Sequence, residues 1–194
     1  MTRAEAAARQ HRAQELVRLL AGRPLVLVGM MGAGKTTVGR RVAGRLERTF
    51  RDSDEEIEKA AQMTIPEIFD QRGEPEFRAG ETRVIARLLK EGDLVLATGG
   101  GAFVNADTRA LVKSEAVSVW LKADAGILFE RVSRRANRPL LKTPNPRATL
   151  ERLIAERYPI YAEADVTVLS RDVPQDTVAA DVIAATLRHL KQEK

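Results

Sequence analysis

Short apolar runs alternate along the chain with longer segments in which apolar residues recur every three or four positions. The Val- and Leu-rich runs predict buried strands, and the longer segments predict amphipathic helices. Such alternation indicates crossover connections, and therefore an α/β fold in which a parallel sheet lies between layers of helices. The predicted strands are five ranges: 25–28, 49–51, 94–97, 117–121 and 166–169.

Particular residues mark where the helices begin. Thr64 and Glu67 have the spacing of a capping box, in which each side chain bonds to the backbone N–H of the other residue. Asn or Asp ahead of a periodic segment predicts an N-cap, and proline is tolerated in a first helical turn. The other boundary residues of these kinds are Asn105, Asp124, Pro75, Pro146 and Pro174.

A first helix is predicted over residues 4–20, where three leucines share one face, and a glycine and a proline end it. Its acidic residues and the lack of a small-residue cleavage pattern argue against a targeting peptide. We expect residues 1–23 to be a helical extension and residues 24–194 to form a single domain.

Composition limits the classes of function. The chain has 194 residues, of which 44% are hydrophobic, enough for one substantial core. No apolar run reaches the roughly 20 residues of a membrane span, and no secretory signal is apparent, so we expect a cytoplasmic protein without membrane contact. Cysteine is absent, and the only histidines, His11 and His189, lie near the termini. A general base is therefore expected to be a carboxylate.

The charge of the chain admits two kinds of partner. A net charge of +5 and a pI near 9.8 fit a nucleic-acid-binding protein, and equally a protein that binds phosphates and small anions. Aromatic residues make up only 4% of the chain, which leaves few platforms for stacking bases. We therefore expect no nucleic-acid partner, and a nucleotide-dependent nucleic-acid-binding protein is the alternative from a different class.

A glycine-rich stretch carries the strongest chemical signal. The residues from Gly29 to Thr36, GMMGAGKT, fit the P-loop pattern, follow a predicted strand and open a helix. Backbone N–H groups of such a loop converge on phosphate oxygens, and the helix dipole favours the same charge. We expect Lys35 to reach the transferable phosphate and Thr36 to bind Mg²⁺. The predicted nucleotide-binding residues of the loop are Gly32, Ala33, Gly34, Lys35, Thr36 and Thr37.

Other segments narrow the use of the nucleotide. A GTPase reads guanine with an Asn-Lys-x-Asp stretch after a late strand, but here Leu121 takes the place of the amide in the corresponding stretch, LKAD. The strand at 94–97 runs into TGGGA rather than ending in the acidic pair of a motor ATPase. Glycines at that point indicate close approach of a small ligand to the backbone.

Charged residues near two other predicted elements suggest an acceptor site. Asp52 and Asp54 follow the second strand, where ligand crevices form in open α/β sheets, so one can face a metal and the other a substrate hydroxyl. A helix cap explains one of them equally well, but not both. Arg78, taken alone, is better explained by a surface ion pair. Together with the P-loop, these residues indicate phosphoryl transfer to an anionic polyol.

Six blocks of the chain resemble shikimate kinase in order and spacing. They are GMMGAGKTTVGRRVA, RDSDEEIE, IFDQRGEPEFRAGE, TGGGA, NRPLL and ERYPIYAEAD, and the resemblance spans residues 24–190. It implies a three-layer P-loop kinase of the nucleoside-monophosphate-kinase type, with a five-stranded parallel sheet. It also implies that MgATP phosphorylates the 3-hydroxyl of shikimate, on the route to aromatic amino acids.

The resemblance implies roles for individual positions. Asp54 matches the aspartate that holds the acceptor hydroxyls, as a base or by orienting the hydroxyl, and Asp52 matches the one near Mg²⁺. On the substrate side it implies Arg78 and Arg157 as clamps on the carboxylate, with Gly99, Gly100 and Gly101 lining the pocket. On the nucleotide side it implies Arg131 beside adenine, and Arg138 as a lid arginine that reaches the ATP phosphates and acts with Lys35 in catalysis.

The resemblance also suggests how the domain is divided. The substrate-binding region is expected at about 52–82, and the lid at about 134–146, a basic stretch interrupted by prolines. We expect a monomer that uses ATP and Mg²⁺, with shikimate as its small-molecule partner. Another small-molecule P-loop kinase, such as a gluconate-type kinase, is the alternative within the class.

Overall fold

Five short strands form one parallel sheet in the computed structural model, which describes residues 3–134 and 143–193. The strands are β1 (Leu25–Val28), β2 (Thr49–Asp52), β3 (Leu94–Ala97), β4 (Val117–Lys122) and β5 (Val166–Leu169). They lie in the order β2-β3-β1-β4-β5, and each neighbouring pair is parallel. The predicted α/β fold with five parallel strands is confirmed. Two strands extend one residue beyond the predicted ranges, because β2 ends at Asp52, which therefore does not follow it, and β4 ends at Lys122.

Helices flank this sheet. Within the described ranges they are α1 (Arg3–Leu20), α2 (Lys35–Leu46), α3 (Ser53–Ala61), α4 (Ile65–Glu91), α5 (Ala106–Glu115), α6 (Ala125–Ser133), α7 (Pro146–Tyr161) and α8 (Gln175–Gln192), with a 3₁₀ turn at Ala102–Val104. Helices α1, α2 and α8 pack together, and α4 packs against both α3 and α5. Strands β1 and β3 are buried along their whole length, as expected for central parallel strands covered on both faces.

The predicted helix boundaries are largely observed. The capping box of Thr64 and Glu67 forms at the start of α4, and the side chain of Asn105 caps α5. Asp124 and Pro174 lie at the N-cap positions of α6 and α8, without a side-chain cap bond. The prediction that placed Pro174 inside a first turn is therefore wrong by one residue, because α8 begins immediately after it.

Helix α4 changes direction at Gly73. This residue has φ 77° and ψ 170°, a conformation that glycine adopts without the steric cost of a Cβ. Pro75, two residues later, has no N–H to continue the preceding hydrogen-bond ladder. The helix predicted to open at Pro75 is therefore the second half of α4, and it carries Phe77, Arg78 and Glu81.

The N-terminal helix shares the core of the sheet. Leu16 and Leu20 of α1 are fully buried in the same hydrophobic cluster as β1, and α1 packs against α8. None of the described helices is long and apolar enough to cross a membrane.

The strand order gathers three loops at one edge of the sheet. Strand β1 lies beside β3, and β3 lies beside β2, with Asp52 in register with Ala97. Because parallel strands end at the same edge, the segments that follow these three strands are neighbours in space. The P-loop, the start of α3 and the glycine run after β3 consequently lie around one crevice.

Candidate active site

The P-loop connects β1 to α2 through three glycines with positive φ. Gly29, Gly32 and Gly34 have φ values of 135°, 82° and 94°. A Cβ on Gly29 would lie 2.7 Å from the carbonyl oxygen of Leu121, so the loop also packs directly against the end of β4. Glycine is required here both by the backbone conformation and by the lack of space.

Lys35 folds back across this loop. Its Nζ donates hydrogen bonds to the carbonyl oxygens of Gly29 at 2.8 Å and Met30 at 2.9 Å, and the residue is buried. The ammonium group is thereby held beside the backbone that precedes it and lines the same cavity as Thr36 and Thr37. A cation in that position matches the phosphate-binding lysine that the P-loop pattern predicts.

Asp52 links the P-loop helix to the start of α3. Its Oδ2 accepts a hydrogen bond from the hydroxyl of Thr36 at 2.8 Å, and its Oδ1 accepts one from the backbone N–H of Asp54 at 3.1 Å. The carboxylate is therefore the N-cap of α3 and a partner of the P-loop threonine at once. The helix-cap interpretation is correct for Asp52, and it leaves Asp54 to be explained by the site.

Asp54 lies against the glycine run that follows β3. A Cβ added to Gly99 would lie 2.7 Å from Asp54 Oδ1 and 2.9 Å from Glu81 Oε1, so two carboxylates occupy the space that a side chain would need. The buried hydroxyl of Ser53 accepts a hydrogen bond from the backbone N–H of Gly99 at 2.9 Å. The start of α3 thus positions both Asp54 and the glycine run.

Arg78 lies over the last glycine of the run. A Cβ on Gly101 would lie 2.5 Å from Arg78 Nη1. The same nitrogen donates to Glu81 Oε2 at 2.8 Å, and Arg78 also contacts the exposed Glu74. Burial lowers the affinity of Arg78 for its proton, but the hydrogen bonds and charges of these two glutamates outweigh that effect and raise its pKa. Arg78 therefore stays charged.

Arg157 and Tyr161 of α7 meet the middle glycine. The carbonyl oxygen of Gly100 accepts hydrogen bonds from Arg157 Nη1 at 3.3 Å and from the Tyr161 hydroxyl. Burial raises the pKa of Tyr161 to about 12, so this phenol keeps its proton and remains a donor at neutral pH. The predicted substrate residues Asp54, Arg78 and Arg157 are consequently brought together along one run of three glycines.

Arg131 lies beside the P-loop, near the end of β5. The glycine run lies on the other side of β1. Arg131 Nη2 donates to the carbonyl oxygen of Arg171 at 2.8 Å, and its Nη1 donates to the hydroxyl of Ser170 at 3.0 Å. Arg171 itself pairs with Asp181 on α8. The structure thus gives Arg131 a fixed place next to the phosphate loop.

These elements enclose a cavity of about 420 Å³. That volume suits a small-molecule site. Its walls are formed by the P-loop, the two aspartates, the first glycines of the run, and polar residues at the end of α6 and the start of α8. The lining residues are Met31, Gly32, Gly34, Lys35, Thr36, Thr37, Asp52, Asp54, Thr98, Gly99, Gly100, Arg131, Arg134 and Gln175.

The oxygen donors at this cavity fit a magnesium ion. Thr36 and Asp52 present a hydroxyl and a carboxylate that already contact each other, and hard oxygen ligands of this kind are those that Mg²⁺ prefers. Among the described residues, no group of three or more His, Cys, Asp or Glu side chains could hold a metal ion by itself. A magnesium ion that takes most of its ligands from water and nucleotide phosphates is consistent with this small donor set.

Several residues of the site were not identified from the sequence. They include Ser53, Glu81, Tyr161, Ser170 and Gln175, all polar side chains beside the P-loop or the glycine run. The one available signal was the spacing of Glu81 three residues after Arg78, which places the two side chains on one helix face. The predicted lid residue Arg138 lies outside the described residues.

The chain is similar to proteins of known activity. The family model for shikimate kinase matches residues 31–187. A shikimate kinase from Rhodopseudomonas palustris is 58% identical over 180 residues, which cover 93% of this chain and 89% of the relative. One from Nitrobacter winogradskyi is 60% identical over 175 residues, covering 90% and 82%. A solved structure of shikimate kinase from Acinetobacter baumannii in complex with shikimate has a TM-score of 0.82 and 41% identity, covering 86% of this chain and 93% of that one.

Proposed function

The chain belongs to the shikimate kinase family and catalyses the ATP-dependent phosphorylation of shikimate, and from this premise we propose how its residues divide the reaction. The observation that supports the division best is the glycine run: Asp54, Arg78 and Arg157 each contact a different one of its three residues. A cyclic acceptor with a carboxylate and several hydroxyls can meet a carboxylate and two cations along such a surface.

On the acceptor side, Arg78 and Arg157 bind the shikimate carboxylate. Their guanidinium groups approach Gly101 and Gly100, and forked N–H donors match the two oxygens of a carboxylate. Residues 99–101 allow the ring of the acceptor to lie directly on the backbone. An uncharged sugar would not form the charge-assisted hydrogen bonds to these two arginines, so the carboxylate contributes to specificity.

Asp54 holds the 3-hydroxyl of shikimate. Its carboxylate accepts a hydrogen bond from that hydroxyl and directs the oxygen towards the γ-phosphorus of ATP. The new bond joins the 3-oxygen to the γ-phosphorus, the bond from the γ-phosphorus to the β-γ bridging oxygen breaks, and ADP leaves. The hydroxyl proton passes to Asp54 or to a phosphoryl oxygen, since a loose transition state needs little base assistance.

On the donor side, the P-loop residues 32–37 bind the phosphates of ATP, and Lys35 stabilises the charge that develops on them. Thr36 and Asp52 would hold a magnesium ion, which neutralises phosphate charge when bound. Arg131 would lie beside adenine. We propose that Arg138, which lies outside the described residues, binds the ATP phosphates during transfer.

The acceptor assignment is tested by a coupled assay of ADP release from MgATP with a panel of acceptors. We expect release to depend on shikimate, with gluconate, nucleoside monophosphates and water giving rates lower by at least about a hundredfold, because an acceptor must hold a carboxylate on the two arginines and a hydroxyl at Asp54 at the same time. A panel in which gluconate outperforms shikimate would favour the gluconate-type alternative and overturn the assignment.

We also propose that residues 24–194 act as a single kinase domain with the substrate-binding region at about 52–82 and residues 1–23 as a helical extension. The enzyme would act as a monomer in the cytoplasm, where ATP is supplied, without a nucleic-acid partner. Sedimentation at several protein concentrations tests the monomer. Salt-dependent binding to arbitrary DNA would contradict the proposal that the enzyme has no nucleic-acid partner.

A further inference from the structure

We infer that Ser170 is a positioning residue for the nucleotide, because its hydroxyl fixes both the Arg131 guanidinium and the P-loop backbone. This inference rests on the proposed role of Arg131 beside adenine. Ser170 directly follows β5 and is only 1% exposed. No sequence motif marks this residue, and none of the roles described above includes it.

The hydroxyl of Ser170 joins two segments that are distant in sequence. It donates to the carbonyl oxygen of Ala33 in the P-loop at 2.8 Å, and it accepts from Arg131 Nη1 at 3.0 Å. A serine hydroxyl has a single proton, so its bond to Ala33 leaves the lone pairs to face the arginine. The P-loop and the last turn of α6 therefore meet at one buried oxygen.

The contact with Ser170 determines the plane of the Arg131 guanidinium. Nη1 is held by Ser170, and Nη2 is held by the carbonyl oxygen of Arg171 at 2.8 Å. Two anchors on one edge fix a planar group, and a guanidinium stacks well on an aromatic base only when its plane is held along that base. Without the hydroxyl, the hydrogen bond that Nη1 keeps with a described residue is a 3.5 Å contact with the carbonyl oxygen of Gly32.

The contact with Ala33 determines the direction of a P-loop donor. In a planar trans peptide, the C=O of Ala33 and the N–H of Gly34 point in opposite directions. The bond from Ser170 to the carbonyl therefore also fixes the N–H that follows it. The backbone N–H of Ser170 donates to Lys122 at 2.7 Å, so the main chain stays in place when the hydroxyl is removed, and the effect of removal is local.

Steady-state kinetics of Ser170 variants test this role. Ser170→Ala should raise the KM for ATP about five- to tenfold, the usual effect of losing one hydrogen bond, and should leave the KM for shikimate within about twofold. Ser170→Thr keeps the hydroxyl and should restore most of the ATP affinity. Ser170→Cys, which is nearly isosteric but hydrogen-bonds weakly, serves as the second variant if Ser170→Ala folds poorly.

Ser118→Ala is the matched control. Ser118 is as buried as Ser170, and its hydroxyl bonds to Asp165 next to the start of β5, away from the cavity. This variant should lower the stability of the protein and leave the KM for ATP unchanged. A rise in that KM as large as the rise in Ser170→Ala would mean that loss of stability alone causes it, and would overturn the inference.

A double-mutant cycle with Arg131→Ala separates the inference from the proposed function. If Ser170 acts through Arg131, the combined variant should raise the KM for ATP by less than the product of the two single effects. Independent multiplication, or an unchanged KM in Ser170→Ala while Arg131→Ala is impaired, would overturn the inference about Ser170. An unchanged KM in Arg131→Ala would instead overturn the assignment of Arg131 itself, and the inference with it.

Discussion

The carboxylate of Glu81 binds Nη1 of Arg78 through one oxygen, Oε2, at 2.8 Å. Its second oxygen, Oε1, makes no hydrogen bond to any described residue and lies beside Gly99. Burial raises the pKa of Glu81; Arg78 offsets part of that effect and the carboxylate of Asp54 adds to it. Glu81 therefore holds Arg78 in the site and also keeps its own proton to a higher pH than an exposed glutamate does.

The first prediction concerns stability and pH. Because the folded protein raises the pKa of Glu81, the stability gained from its proton is complete below the ordinary glutamate pKa of about 4.3 and is lost as the pH rises through the raised value. Glu81→Gln removes this titration. We expect the free energy of unfolding of this variant, measured in urea at a series of pH values, to fall less than the wild-type value as the pH rises above about 4.3.

Glu76→Gln is the control for this comparison, since Glu76 lies exposed on the same helix. A difference between the Glu81→Gln and Glu76→Gln curves then reports on the buried position of Glu81 and not on the loss of one carboxylate from α4. Parallel curves for Glu81→Gln and wild type would show that Glu81 titrates as an ordinary carboxyl.

The second prediction concerns acceptor binding. Arg78→Ala should raise the KM for shikimate about 10- to 100-fold, the effect of losing a charge-assisted hydrogen bond, while the KM for ATP changes little. Arg83→Ala, which removes an exposed arginine paired with Glu76 on the same helix, is the control and should have wild-type kinetics. An equal loss of ATP affinity in Arg78→Ala would place Arg78 elsewhere in the mechanism.

The third prediction tests the contact between Arg78 and the glycine run. Gly101→Ala should lower shikimate affinity, because its Cβ would lie 2.5 Å from Arg78 Nη1 and must displace that side chain. We expect a KM for shikimate about tenfold higher, approaching the effect of Arg78→Ala. Gly44→Ala, in exposed helix with no atom within 4 Å of the new methyl, should leave kinetics unchanged and add roughly 0.5–1 kcal/mol of stability. Equal kinetics in the two variants would refute the close contact.

The fourth prediction concerns magnesium. Thr36→Val removes the hydroxyl that bonds to Asp52, whereas Thr36→Ser keeps it. In Thr36→Val, we expect half-maximal activity at a free Mg²⁺ concentration at least about tenfold higher, measured at a fixed total ATP concentration, because a ligand and an orienting contact are both lost. Thr36→Ser should behave as wild type. If both variants need the same Mg²⁺ concentration as wild type, the metal is bound elsewhere.

The fifth prediction concerns the N-terminal helix. Leu16 of α1 is fully buried, so Leu16→Ala should cost about 2–5 kcal/mol in the free energy of unfolding. Gln14→Ala, on the exposed side of the same helix, should change stability by less than about 0.5 kcal/mol. Because α1 lies away from the cavity walls, neither variant should alter KM values. A stable Leu16→Ala protein would mean that α1 is not part of the cooperative core.

The strands and most helix boundaries could be predicted because each depends on a local pattern. The apolar run 25–28 and the capping residues of α4 and α5 determine their elements within a few positions of the chain. The end of β2 could not be placed as well. The sequence places Asp52 after the strand, but pairing with β3 carries β2 through that residue.

The residues of the site could be predicted only where a motif fixes them. Lys35 and Thr36 belong to the P-loop pattern, whereas Ser53 and Ser170 resemble any polar residue at the end of a strand. Their functions come from partners that are distant in sequence, the N–H of Gly99 and the carbonyl of Ala33, which only the folded sheet brings within 3 Å. Glu81 was missed for a related reason, because a glutamate in a helix is exposed in most proteins.

The glycine run at residues 99–101 has a consequence for how this enzyme can evolve. No amino acid is smaller than glycine, so every substitution there adds atoms to the wall of the acceptor pocket. Mutation can narrow the pocket at these three positions and cannot widen it. Variants that accept larger substrates must therefore arise from changes in other walls of the pocket, because this short segment has no side chain left to shorten.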